Sequence, residues 1–311
     1  MTAISAVLVK QLRNRTGAGM MDCKKALVEM AGDMEAAVDW LRTRGLAAAA
    51  KKAGRVAAEG LVATAVSEDG RRGAVVEINA ETDFVARNET FQDFVRHTAT
   101  LALDSQGDID SLVGTKWPGS SGTVQDRLTD LVATIGENLQ IRRSHVLGVT
   151  HGSVAHYVHT AAAPGMGRIA VIVALESTGD REILHDAGRK LAMHVAASRP
   201  EAVTTEALDP ALVERERGVL TEQARESGKP EAIVQRMVEG RLRKFFQDVV
   251  LMEQVYVIDG ESRVEKILED LARDLGTSVE VAGFVRYGLG EGIEKKDSDF
   301  AAEVAAAASG R

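Results

Sequence analysis

The sequence is poor in cysteine and lacks a long hydrophobic run. Its 311 residues include one cysteine, Cys23, so no disulfide can form within the chain, which fits a reducing compartment. The longest apolar run, residues 169–175, is far shorter than the roughly 20 residues that span a bilayer. The apolar N-terminal stretch ends at Lys10, so no signal peptide is expected. We therefore expect a cytoplasmic protein with no membrane partner.

An excess of positive charge is also missing. The chain has 38 Lys and Arg residues against 46 Asp and Glu residues, a formal net charge of -8. Binding to nucleic acid without help needs basic residues that replace counterions, so no direct nucleic-acid partner is expected. The 45% hydrophobic and 27% charged residues are typical of a globular protein, and the length suggests about two domains. Aromatic residues make up only 4% and alanine is abundant, which favours helix.

Motifs of enzyme chemistry are absent as well. The sequence has neither a G-x-x-x-x-G-K-[ST] phosphate loop nor a G-x-S-x-G nucleophile elbow, and Cys23 has no evident histidine partner. His151, His156 and His159 suggest a metal site, but His156 and His159 would point to opposite faces of a strand. Ordinary histidines are the better interpretation. We expect a binding protein without enzymatic activity, metal or cofactor, because an enzyme in the core would need a set of acid, base or nucleophile.

Helical spacing of apolar residues dominates the N-terminal region. It predicts three short helices, the third ending near Gly45, and then a basic, alanine-rich, partly helical linker over residues 47–59. These segments form a predicted first domain over residues 1–55.

The middle of the chain alternates between strands and helices. Strands are predicted at residues 61–66, 74–79, 141–149, 153–160 and 168–175. Helices are predicted at residues 88–103, 124–139 and 181–198, with a loop over 104–122. Two similar strand–helix units about 95 residues apart suggest two related core halves, residues 56–150 and 151–288. Chance similarity between generic units is the alternative.

The C-terminal third is predicted to be mainly helical. Two helices with thin apolar seams, joined at residues 226–230, predict a protruding helical hairpin over residues 209–249, inserted into the second half. A helix at 264–275 and a strand at 279–287 follow. A last helix beginning near Asp297 belongs to a C-terminal module over residues 289–311.

The densest signal lies in residues 77–87, where acidic and capping residues follow a strand and precede an aromatic one. In one interpretation, Thr82 or Asp83 caps the next helix and Phe84 packs as a hydrophobic staple. In the other, Asp83 and Phe84 are presented together to a partner. The residues alone favour the first interpretation.

Two long motifs carry a family resemblance. EINAETDFVAR at residues 77–87 and LRNRTGAGMMDCKKAL at residues 12–27 resemble the two signatures of bacterial translation elongation factor Ts. Residues 192–197, 227–230 and 290–295 are similar to further family segments, in the family's order. The resemblance implies an α+β fold. It implies an N-terminal three-helix module like a ubiquitin-associated domain, a two-part core with antiparallel sheets, an inserted helical hairpin (coiled coil), and a C-terminal helical module.

The resemblance also implies a function. A member of this family is a guanine nucleotide exchange factor that binds elongation factor Tu with GDP and displaces Mg²⁺. It promotes GDP release and GTP exchange during translation elongation, with no covalent chemistry. The resemblance implies that Phe84 is the wedge that dislodges the ion, that Asp83 flanks it, and that Thr82 and Val85 shape the turn.

Further partner contacts are implied outside this segment. They are Arg13, Met20, Met21, His159 and Phe300. One of the two methionines is expected in the core of the bundle instead, and docking onto the chain's own core is the alternative for Phe300. The chain departs from the family by a short insertion at residues 161–167, just after His159. The main alternative function is a non-enzymatic adaptor that uses the N-terminal bundle. The hairpin is compatible with a homodimer or with free projection.

Overall fold

The computed structural model of the chain describes residues 4–16 and 18–294. These residues form a three-helix bundle, an antiparallel sheet covered by helices, and a helical hairpin, so the predicted α+β class is confirmed. The predicted last helix and Phe300 lie outside the described residues. Within the described ranges, no helix combines the length and apolar character that crossing a membrane requires.

The N-terminal bundle contains three helices, α1 (Ala6–Thr16), α2 (Met20–Glu29) and α3 (Met34–Lys52). Their facing sides completely bury Leu12, Cys23 and Leu27. Helix α3 does not end near Gly45 as predicted, because residues 47–52, the helical part of the predicted linker, continue it to Lys52. Alanine and lysine are strong helix formers, so this segment needs no apolar stripe of its own to stay helical.

Two halves with the same strand order form the core. The first half contains β1 (Glu59–Val66), β2 (Arg72–Ala80), α4 (Glu89–Ala102), α5 (Ile109–Gly114), α6 (Val124–Ile135) and β3 (Leu139–Gly148). The second half contains β4 (Gly152–Ala163), β5 (Met166–Glu176), α7 (Arg181–Ser198), α8 (Pro210–Arg225), α9 (Glu231–Val249), α10 (Val264–Leu275) and β6 (Glu280–Gly288). In each half the second strand lies between the other two, and all pairs are antiparallel. The weak sequence repeat thus corresponds to a repeated topology.

The halves share one sheet. Strand β1 pairs with β5 through Val62 opposite Gly167 and Ala63 opposite Met166, which gives a six-stranded sheet. The antiparallel pairing is thus as predicted, and the strands of both halves lie in one joined sheet. The reason is that β1 would otherwise leave one backbone edge unpaired, and β5 offers a partner where β6 does not reach.

Helices cover one face of the sheet. On the opposite face, apolar side chains of strands from the two halves pack against each other. Phe91 and Phe94 of α4 are buried in the core of the first half, and Leu184 of α7 in that of the second. A third apolar cluster contains Val62 and Ile172 from the joined strands. Because both faces of these strands are covered, they read as nearly continuous apolar runs rather than alternating ones.

Two local predictions need correction. Residues 104–122 are not entirely loop, because Asp108 caps the short helix α5 by accepting a backbone hydrogen bond. Helix α6 ends at Ile135 instead of continuing to residue 139, because Gly136 adopts a φ of 88° that suits a helix end.

A glycine with positive φ lies at the start of the first strand in each half. Gly60 in β1 has a φ of 115° and Gly152 in β4 a φ of 120°. A Cβ on Gly60 would lie 2.2 Å from the carbonyl oxygen of Ile78, and one on Gly152 would lie 2.1 Å from that of Leu175. The same close backbone approach is therefore built into both halves.

Gly60→Ala is expected to lower the free energy of unfolding by about 3 kcal/mol, because the new Cβ meets backbone and the positive φ becomes strained. Gly54→Ala is the matched control, since a Cβ there meets nothing within 4 Å. That variant should stay within about 0.5 kcal/mol of the parent chain. Urea unfolding followed by circular dichroism measures both, and equal stability of the two variants would contradict the argument.

A buried histidine fastens the loop that precedes α10. His194 in α7 has no solvent exposure, and its Nδ1 accepts a hydrogen bond from the Val257 N–H at 3.2 Å. Its Nε2 therefore carries the proton and donates to Oε1 of Gln254 at 2.9 Å. The Gln254 amide nitrogen in turn donates to the carbonyl oxygens of Ser198 and Asp248. Burial lowers the pKa of His194, and every atom of this network suits the neutral ring.

The folded pKa of His194 lies below its unfolded value, so the unfolded chain binds the proton more readily. The stability from neutral His194 is therefore present above about pH 6.5 and is lost as the pH falls toward the folded pKa, by at most about 1.4 kcal/mol per pH unit. His194→Gln should remove this part of the dependence while His156, whose pKa burial also lowers, keeps its own part. Unfolding in urea from pH 7.5 to pH 5.0 tests this at roughly half-unit steps. If the free energy of unfolding of the parent chain and of His194→Gln changed with pH in parallel, His194 would not be the source of this dependence.

Candidate functional site

The turn after β2 separates two neighbouring apolar side chains. A short 3-10 helix, Val85–Arg87, places Val85 in the core, where it is 4% exposed. The ring of Phe84 is 75% exposed. The interpretation of Phe84 as a hydrophobic staple is therefore wrong, because the core position is already occupied by the next residue.

Capping of the following helix also differs from the prediction. Asn88 caps α4 by accepting a hydrogen bond from the Phe91 N–H, so neither Thr82 nor Asp83 is the cap. Thr82 instead donates its N–H and its hydroxyl to the carboxylate of Glu137, at 2.9 and 2.6 Å. The turn is thus anchored to the segment between α6 and β3.

In a second anchor, the carboxylate belongs to the turn and its donors lie outside it. Glu81 accepts a hydrogen bond from the Asn138 N–H at 2.6 Å and lies 3.4 Å from the guanidinium of Arg55. The Asn138 amide donates to the Arg55 carbonyl oxygen at 2.8 Å. Because Arg55 lies three residues beyond Lys52, the last residue of α3, the N-terminal bundle is attached to the base of the turn as well.

The tip of the turn carries two adjacent exposed side chains. Asp83 is exposed beside Phe84, and among the described residues no donor is hydrogen-bonded to its carboxylate. Nor does the described part of the chain bring together three His, Cys, Asp or Glu side chains that could hold a metal ion. The turn can therefore offer another molecule the ring of Phe84, on an anchored backbone, and the exposed carboxylate of Asp83.

The predicted contacts on the bundle are exposed. Met20 is 52% and Met21 74% exposed, so the expectation that one of them lies in the bundle core is wrong. The buried face of α2 is formed by Cys23, Ala26 and Leu27, a helical stripe from which both methionines are excluded. Arg13 on α1 is exposed too.

His159 is exposed on β4, and its Nδ1 lies 3.0 Å from the Tyr157 hydroxyl. His156 is half-buried and hydrogen-bonded to Thr64 of β1 at 3.0 Å, so the two histidines have separate environments. Residues 161–167, where the sequence predicts an insertion, belong to the hairpin between β4 and β5.

Strand register relates His159 to the turn. His159 lies opposite Ile169, and the adjacent Arg168 forms an ion pair with Glu59 at 3.3 Å. Glu59 in turn lies opposite Ala80, the last residue before the turn. His159 and the Phe84 turn are therefore at the same end of the sheet, on either side of the β1–β5 junction, whereas the methionines belong to the separate bundle.

The residues missed by sequence reasoning are the anchors. Glu137 lies 55 residues beyond Thr82, and Arg55 lies 26 residues before Glu81. Neither has a local motif that marks it, so only the folded arrangement identifies them.

Comparison with known proteins identifies one family. The family model described as Elongation factor TS matches residues 81–291, which is most of the chain. A protein named Elongation factor Ts from Rhodospirillum rubrum is 59% identical over 307 residues, 98% of this chain and 99% of its own length. Proteins of the same name are 57% identical over 310 residues in Parvibaculum lavamentivorans and 59% identical over 308 residues in Gluconobacter oxydans. These cover 100% and 99% of this chain, and 100% and 99% of their own lengths.

Glu137→Ala leaves two donors of Thr82 without their partner and should lower the free energy of unfolding by about 1–2 kcal/mol. Thr82→Val removes the hydroxyl donor alone. Since the two side chains share a hydrogen bond, the double variant should lose less than the sum of the single losses. Glu68→Ala, at an exposed turn, is the control and should change stability by less than about 0.5 kcal/mol. Strict additivity in urea unfolding would show that the anchor is not used.

Proposed function

The chain belongs to the elongation factor Ts family, and from this membership we propose that it is a guanine nucleotide exchange factor of translation elongation. It binds elongation factor Tu in the GDP form, displaces Mg²⁺ and promotes exchange of GDP for GTP. It carries out no covalent chemistry, and it acts in the cytoplasm, where its partner takes part in translation. The observation that carries this proposal is the exposed ring of Phe84 on an anchored turn.

Exchange by binding follows from linkage. Suppose that a factor binds the nucleotide-free GTPase better than the GDP-loaded one. Its binding must then lower the affinity of the GTPase for GDP by the same ratio by which GDP lowers the affinity for the factor. Such a factor needs a surface that complements the distorted partner and needs no acid, base or nucleophile. The exposed turn and the two exposed methionines suit that requirement.

Mg²⁺ is the sensitive point of the partner. It requires nearly octahedral geometry at about 2.1 Å, so a small shift of the groups behind its ligands loosens it. We assign Phe84 as the inserted ring, Asp83 as a flanking hydrogen-bond acceptor, and Thr82 and Val85 as the residues that hold the turn. The buried Val85 and the Thr82–Glu137 hydrogen bonds support these last two roles.

Further contacts come from the bundle and the second half. We assign Arg13, Met20 and Met21 to one contact and His159 to another, since all four are exposed. Adjacent methionines give an adaptable apolar surface.

The bundle serves as a ubiquitin-associated-like module within a first domain over residues 1–55. Residues 56–150 and 151–288 act as the two core domains, followed by a C-terminal module over residues 289–311.

The α8–α9 hairpin is proposed to act as a coiled coil that can support a homodimer. Its seam is closed by buried side chains, among them Leu220, Val234 and Val238. Val219 and Ile233 stay exposed outside that seam at 47% and 43%, which gives a second chain an apolar surface to contact.

Phe84→Ala should lower stimulated GDP release from elongation factor Tu about tenfold, which corresponds to ~1.4 kcal/mol at the barrier. Its stability should be nearly unchanged, because the ring is 75% exposed. Val85→Ala is the matched neighbour, and it should lose about 2 kcal/mol of stability because its side chain is buried. Release of fluorescent GDP and urea unfolding are measured on both. Wild-type release rates with Phe84→Ala would exclude the ring as the lever.

A further inference from the structure

Glu77 of β2 is a carboxylate without solvent exposure. Its oxygens accept hydrogen bonds from Arg142 at 3.0 and 3.2 Å, from Arg143, from the Asn79 amide at 3.0 Å and from the Gly290 N–H at 2.8 Å. A buried carboxylate is unfavourable unless donors surround it, and this one has a complete set. One donor, Gly290, lies 213 residues further along the chain.

A β-bulge makes this cluster possible. Arg142 and Arg143 would point to opposite faces of a regular strand. The β2–β3 register shifts between Glu77 and Ile78, which leaves Arg142 as an extra residue on β3. Both guanidinium groups can then reach one carboxylate. The bulge therefore lets two consecutive arginines bind the same carboxylate.

The same arginines hold the chain as it leaves β6. Arg143 donates to the Gly288 carbonyl oxygen at 2.9 Å, and Arg142 donates to that of Glu291 at 2.7 Å. We call residues 288–291 the exit segment. Gly290 has a φ of 69°, and a Cβ on it would lie 2.4 Å from the Ala58 carbonyl oxygen. The exit segment is thus enclosed between Glu77 and the start of the first half.

We propose that Glu77 is a positioning residue for nucleotide exchange: it locks the exit segment of the second half onto the first half and so sets His159 relative to Phe84. The role of this orientation in nucleotide exchange rests on the proposed function. The β1–β5 ladder supplies only two residue pairs between the halves. Apolar contacts between them have no strict direction, whereas charge-assisted hydrogen bonds do. The Glu77 cluster therefore adds a buried directional attachment to the exposed Arg168–Glu59 ion pair and the Thr64–His156 hydrogen bond, which also join the halves.

Two variants disturb this attachment from opposite sides. Glu77→Gln keeps the side-chain volume and removes the charge, whereas Gly290→Ala keeps the charge and displaces the exit segment from Ala58. Gly276→Ala is the matched control, because it also has a positive φ, 66°, but a Cβ there meets nothing within 4 Å. If one variant fails to fold, the other still tests the proposal.

Hydrogen exchange measured by NMR on the full chain is the first readout. The Gly290 amide should exchange at least about tenfold faster in Glu77→Gln, while the amides of α4 stay protected. Stimulated GDP release is the second readout. For both variants the protein concentration that gives half-maximal release should rise about fivefold, with the maximal rate changed less than about twofold, since orientation affects assembly more than the inserted ring. Gly276→Ala should change neither quantity.

The outcomes are separable. An unchanged Gly290 amide in Glu77→Gln, or unchanged half-maximal concentrations in folded variants, would overturn the positioning role and leave Glu77 as a core residue only. If the wild-type chain fails to stimulate GDP release, the proposed function fails. The hydrogen-exchange result then still decides whether Glu77 locks the exit segment.

Discussion

The structure around the exposed ring depends on carboxylates whose hydrogen-bond donors come mostly from distant parts of the chain. Glu77 lies within β2, and Glu81 is the first residue after that strand ends at Ala80. Glu77 collects donors from β3 and from the exit segment, and Glu81 collects them from the segment before β3 and from the end of the bundle. Asn79 lies between them and donates to Glu77. The C-terminal end of β2 therefore joins four separate regions, because leaving these charges unpaired would be costly.

That junction explains how an exposed apolar ring can have a defined position. A side chain on a mobile loop loses about 0.5–1.5 kcal/mol when binding immobilises it, and the loop adds its own ordering. Here Thr82 is hydrogen-bonded to Glu137 and Val85 is buried, so the backbone on both sides of Phe84 is already fixed. Binding would have to order only the ring itself. The rigid base and the exposed tip are thus two parts of one arrangement.

Sequence reasoning succeeds here where the signal is local. The bounds of α7, Arg181–Ser198, are predictable because apolar spacing and a following proline mark them. It fails where the partner is remote: no periodicity links Thr82 to Glu137 or Glu77 to Gly290. The family resemblance implies an exposed Phe84, but the local residues alone do not predict that exposure. Two adjacent apolar residues compete for one core position, and only packing decides that Val85 takes it.

The repeat within the core offers an internal comparison for the turn. In the second half, residues 177–180 connect β5 to α7 directly, and Asp180 caps the helix. In the first half, residues 81–88 make the equivalent connection from β2 to α4, with Asn88 as the cap. The shorter connection shows that this topology does not need the longer one, since the strand order and the opening glycine are the same in both halves. The additional residues form the anchored turn and its exposed ring, and burial of the core cannot account for a ring that is 75% exposed. The proposed contact with elongation factor Tu would give these additional residues a role that the core does not.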